Sequence, residues 1–128
     1  MSQTPPPIAT LSVSAGALPP GVSVCFEARR LAAEVFTDLS AAHLTDVLIV
    51  VDELVADAGR HGSRLREVCL CRFDLPMVAH VEVISTPPAT PRWTGGADAA
   101  LGRLLVEELA TAWGVQREGS DWMTWAEV

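Results

Sequence analysis

The stretch LTDVLIVVDELVADAGRHG, residues 44–62, carries the clearest periodicity in the chain. Leu44, Val47, Leu48, Val51, Leu54, Val55 and Ala58 recur at the three- and four-residue spacing that lines one side of an α-helix. Asp46, Asp52, Glu53 and Asp57 fall off that stripe. An apolar stripe four turns long needs another layer of structure to cover it. Gly62 is a natural stop, and Arg60 and His61 just before it suit the negative end of a helix dipole.

Working outward from this helix, the N-terminal side offers IATLSVS, where Ile8, Thr10 and Ser12 alternate with Ala9, Leu11 and Val13 as in a half-buried strand. Gly16 and Pro19-Pro20-Gly21 end that strand, and VSVCFEARRLAAEVF follows with Val24, Ala28, Leu31, Val35 and Phe36 at helical spacing. On the C-terminal side EVCLCRF and VAHVEVI read as two strands joined by a turn at Asp74-Leu75-Pro76-Met77. A polar, proline-rich stretch from Ser85 to Gly96 reads as a functional loop, because long unstructured segments inside compact domains usually carry function. A third helix is expected over Asp98 to Ala112, with Leu101, Leu104, Leu105, Leu109 and Ala112 as its apolar residues. WGVQRE and WMTWAEV close the chain as a hairpin around Gly119-Ser120-Asp121. This order predicts an α+β, two-layer sandwich: a mainly antiparallel sheet of about five strands with three helices on one face.

Composition narrows the function. The 128 residues fit one domain, residues 1–128, with 1–7 as a flexible lead-in. All nine basic residues are Arg, against 16 acidic ones, and the net charge of -7 would be repelled by a nucleic-acid backbone. The longest apolar run, Val47 to Val51, is cut by Asp52 and Glu53, so no bilayer span is expected. The N-terminus has neither a basic start nor an apolar signal core, so a cytoplasmic location is expected. Cys69 and Cys71 alternate onto one strand face, but zinc pairs prefer two to four intervening residues, and these read as reduced, packed thiols.

Four segments in order, FEARRLAAEVF, DELVADAGRHG, VAHVEVIS and LGRLLVEELATAWGV with WMTWAEV, resemble the GHKL superfamily of ATPases. Within it the chain is most similar to the anti-sigma-factor serine kinases, and the resemblance spans most of residues 22–128. It implies a Bergerat-type fold, and a second helix supplying a Glu as general base and, four residues on, an Asn that holds magnesium on ATP. Glu53 matches the base, whereas Asp57 stands at the Asn position and the chain contains no Asn. Residues four apart share a helix face, so the spacing suits one ion, and Asp can ligate magnesium. The substitution nevertheless removes an amide donor and adds a charge. Two like charges at this spacing cost about 0.3 kcal/mol in water and far more in a dry pocket.

The remaining family positions are also altered. Ser85 stands where the family has an Asp that accepts from the adenine amino group, and losing a charged acceptor costs about 1–3 kcal/mol. Of the phosphate-binding glycines the chain keeps Gly95, Gly96 and Gly102, with Ala100 where another would help. No Lys is present, which leaves Arg92 or Arg103 as the nearby cations. Three weakened positions at about 1.4 kcal/mol each lower nucleotide affinity roughly a thousandfold.

The resemblance therefore implies two activities. The first is a regulator that binds a sigma factor or an anti-sigma antagonist without needing ATP, through Arg29, which matches a first-helix Arg of the family; the residues themselves add Arg30 and the loop residue Trp93 as partner contacts, and a homodimer is allowed. The second is an ATP- and magnesium-dependent serine/threonine kinase with Glu53 as base and Asp57 on the metal.

Overall fold

The computed structural model describes residues 6–60, 62–74, 76–89 and 97–128, with only the backbone of 97–99. Five strands and three α-helices follow in the order β1 (Ala9–Ser14), α1 (Val24–Val35), α2 (Ala41–Arg60), β2 (Arg64–Phe73), β3 (Val78–Thr86), α3 (Ala97–Leu109), β4 (Ala112–Glu118) and β5 (Asp121–Glu127), with a 3₁₀ turn at Ala15–Ala17. The sheet order is β1-β2-β3-β5-β4, and every neighbouring pair is antiparallel. The α+β two-layer sandwich expected from the sequence is the fold observed. None of the described helices is long and apolar enough to cross a membrane.

Each helix begins and ends where its residues dictate. Ser23 caps α1, its Oγ accepting from the Phe26 amide at 3.2 Å, and Ser40 does the same for the His43 amide of α2 at 3.1 Å. Gly62, at φ 72°, turns the chain out of α2, and the Ser63 amide donates back to the Ala58 carbonyl at 3.1 Å. Val47, Val50, Val51 and Leu54 of α2 are almost wholly buried, each burial stabilising by about 1.5–3 kcal/mol. They meet Val68 and Leu70 of β2, Val81 and Val83 of β3 and Ala126 of β5 in one core. Leu44, Leu48 and Val55 pack against its edge. The His43 ring nitrogen Nε2 lies 3.1 Å from the Val128 carbonyl, and Val128 pairs with Ala79, which ties the C-terminus to the sheet centre.

Two boundaries differ from those expected. β3 runs through Ser85 and Thr86, which pair on toward β2 and β5, so these residues extend the sheet and the loop starts later. α3 ends at Leu109, and Ala112 already pairs with Glu127 in β4. The apolar side of α3 is only partly the expected one: Leu109 packs against the core, but the first turns are rotated. Leu101 and Leu104 are 58% and 61% exposed, while Gly102 and Val106 face the interior. The rotation follows from close approach: a helix lays its smallest side against a tightly packed neighbour, and here that neighbour is the Glu53 carboxylate of α2. Leu75, in the expected β2–β3 turn, lies outside the described residues.

Candidate functional site

A cleft opens between the C-terminal half of α2, α3 and the inner face of β4 and β5. Its walls are Glu53, Leu54, Asp57, Arg60, Gly102, Arg103, Val106, Trp113, Val115 and Thr124. Helical geometry accounts for the first wall, because Glu53, Asp57 and Arg60 stand at i, i+4 and i+7 on one face. Strand alternation supplies the floor, with Val115 and Thr124 directly opposite each other in the β4–β5 register. The Arg103 guanidinium lies 5.8 Å from the Trp113 ring centroid and closes one end of the floor. The cavity between these described walls is about 30 Å³, room for about one or two waters.

The Glu53 carboxylate is held at the centre of this cleft. Its Oε2 is shielded from solvent and accepts no hydrogen bond among the described residues. An ion pair with Arg60, Nη2 to Oε2 at 3.6 Å, compensates the charge. On the other side it rests on Gly102: a Cβ there would overlap Oε2 and come within 3.0 Å of the Glu53 Cδ. Glycine at 102 is what lets the two helices trap a carboxylate between them. Asp57 joins Glu53 and Gly102 in the cleft, as their expected role in one site requires.

Ser85 does not reach these walls. It is buried, 6% exposed, and pairs with Trp122, whereas the cleft floor at Thr124 pairs with Val83. Ser85 thus lies one inward-facing step further along β3. Gly95, Gly96, Arg92 and Trp93 lie outside the described residues. Arg103, one of the two cations expected near the site, does line the cleft, and Arg60 adds a second one there, paired with Glu53. The position of Arg60 seven residues after Glu53 was the available signal. Among the described residues no group of three or more His, Cys, Asp or Glu side chains is arranged to hold a metal ion.

The expected partner surface on α1 is also rearranged. Arg29 donates to Asp52 on α2 at 2.5 Å, and the Cys25 thiol donates to the same carboxylate at 2.9 Å. Burial, followed by the bond to Asp52 and its charge, pushes the Cys25 thiol up to about 11. Arg30 pairs with Glu27 and Glu34 along its own helix, and its bond holds the Glu27 carboxyl below the ordinary range. Both arginines thus pair within the chain while staying about half exposed, at 47% and 51%. Phe26 is the residue that sequence reasoning missed: it is 66% exposed, one turn before Arg29 and Arg30. Its signal was its place opposite the buried stripe of Ala28, Ala32 and Val35.

Asp52 and Glu53 are consecutive on α2 and point about 100° apart, as helix geometry demands. One acid fastens α1 and the other faces the cleft. Comparison with protein-family models and with curated proteins found no match for this chain.

Proposed function

We propose that this chain is a GHKL-type regulator related to the anti-sigma kinases, acting in the cytoplasm by capturing a protein, with a nucleotide site too eroded to be needed. The observation that carries this reading is the state of Glu53. A general base must reach the proton it removes. One oxygen of this carboxylate, Oε2, is instead shielded against Gly102 and ion-paired with Arg60, which favours a structural role for it over that of a base. Asp57 in place of an amide weakens the cleft further, and Ser85, one inward step beyond its floor, brings no acidic adenine acceptor. The partner is a sigma factor or the antagonist of one, met by α1 through exposed Phe26 and by Arg29 exchanging Asp52 for an acid on the partner.

The kinase reading draws support from one observation, that Glu53, Asp57 and Gly102 share a cleft. Thermal unfolding with and without about 1 mM Mg-ATP separates the two. A ligand at its dissociation constant contributes about 0.4 kcal/mol, so the regulator reading expects almost no shift. A rise of several degrees that Glu53→Ala or Asp57→Ala abolishes would establish the kinase site instead.

A further inference from the structure

The core lies between the helices and one face of the sheet, and strand alternation sends every second residue to the opposite face. Three successive rows cross the strands on that outer face: His80 stands beside Glu127, Glu82 beside Trp125, and Glu67 beside Ile84. None of these six belongs to the core. Followed from β1 to β4, the three rows contain no Arg or Lys. Arg66, at the bulge beyond the third row, lies 3.7 Å from Asp121.

The three carboxylates form a diagonal. Glu127 on β5, Glu82 on β3 and Glu67 on β2 each move one row and one strand along, and these strands are neighbours in that order. With strands about 4.8 Å and rows about 6.8 Å apart, each step is about 8 Å. Alternate side chains of an extended segment stand about 6.8 Å apart, a spacing that a long arginine stem adapts to this step. Trp125 gives the diagonal a flat apolar flank. Its indole lies over Gly114, where a Cβ would stand 3.0 Å from Nε1, and the His80 ring stacks on it at 5.9 Å. His80 also fixes the middle acid, its Nε2 lying 2.9 Å from Glu82 Oε1.

We propose that the outer sheet face docks an extended segment of a partner protein carrying arginines at three alternate positions, i, i+2 and i+4. Charge complementarity selects this occupant: a guanidinium bonds a carboxylate through two parallel N–H groups and stacks on an indole. A second copy of the chain is a poor fit, because packing this face on itself sets carboxylates against carboxylates without a basic residue in the rows to offset them. A nucleic acid is repelled by the same charges and by the net charge of -7. This surface is separate from α1 and from the cleft, and it does not depend on the role proposed for either.

The test uses two labelled, capped pentapeptides of one composition, Arg-Thr-Arg-Thr-Arg and Arg-Arg-Arg-Thr-Thr, titrated with the full chain at physiological ionic strength and read by fluorescence anisotropy. The alternating peptide should bind about tenfold tighter, and Glu82→Gln and Glu127→Gln should each weaken it by about tenfold, the worth of one charge-assisted bond. Glu107→Gln and Glu108→Gln, which remove the same charge from the exposed side of α3, should leave it within about twofold. Equal affinity for the two peptides, or equal losses in the sheet and α3 variants, reduces the effect to net charge and overturns the proposal, as does a parent that binds neither. Sedimentation velocity supplies the other occupant: a parent dimer that Glu82→Gln or Glu127→Gln alters gives the face to a second copy and refutes the assignment. Should the variants misfold, nuclear magnetic resonance of the unmodified chain decides. A shift of the Trp125 indole signal on adding the alternating peptide, with that of Trp113 unmoved, supports the site, and an unmoved Trp125 signal refutes it.

Discussion

Gly102→Ala probes the contact between α2 and α3 with opposing effects of similar size. In a helix interior, replacing Gly by Ala normally stabilises by about 1 kcal/mol. Here the new Cβ overlaps Glu53 Oε2, lies 3.0 Å from its Cδ and 3.4 Å from Arg60 Nη1. The overlapping atom is the far end of a flexible side chain, so the helices stay in place and the carboxylate swings away. What is lost is its packed position and its ion pair with Arg60, whose side chains are 22% and 23% exposed, together about 1 kcal/mol. Gly102→Ala alone should therefore change stability by less than about 0.5 kcal/mol, whereas in a Glu53→Ala background it should regain the full helix-propensity gain of about 1 kcal/mol. Urea denaturation of all four members of the cycle, at constant m, measures the coupling. If Gly102→Ala has the same effect in both backgrounds, within about 0.3 kcal/mol, the carboxylate does not rest on Gly102 and the reasoning fails.

Other expectations follow from the same structure. Phe26→Ala should leave the melting temperature nearly unchanged, because the side chain is 66% exposed, while weakening capture of a cognate sigma factor or antagonist by about 2 kcal/mol; equal binding by parent and variant would move the interface off α1. Cys25, raised to about 11, should alkylate slowly at pH 8 and faster as pH climbs, and Asp52→Asn should speed it by removing a bond and a charge that favour the protonated thiol. An unchanged or slower rate in Asp52→Asn would contradict that cause. The bond from Arg72 holds the Asp38 carboxyl below its ordinary 3.8, so the stability it lends is present above that value and lost as pH falls through the lower folded value. Asp38→Asn should flatten the acid limb of a stability–pH curve below about pH 4, and an unaltered limb would remove this pair from the account.

The fold was legible because its strongest signals are periodic. The stripe from Leu44 to Ala58 determines α2, and alternation in LSVS, EVCLCRF and VAHVEVI determines which strand residues meet it. α3 was less legible, since its four leucines outweigh Gly102 in any count of apolar residues. The helix is oriented by a steric need, room for Glu53, that appears only when α2 lies beside it. The candidate site divides in the same way. Glu53, Asp57 and Gly102 are gathered by spacing and order alone, but the pairing of Glu53 with Arg60 depends on rotamers. So does the engagement of Arg29 by Asp52, a contact between residues 23 positions apart. Phe26 carries no charge, and only its place opposite the buried stripe of α1 marks it in the sequence.

The claim that this domain works without nucleotide is tested most directly by calorimetric titration of the purified chain with Mg-ATP, and with Mg-ADP. The account predicts no saturable heat up to about 1 mM ligand, consistent with the roughly thousandfold loss expected from three weakened contacts. Saturable binding in the micromolar range that Glu53→Ala or Asp57→Ala removes would contradict it.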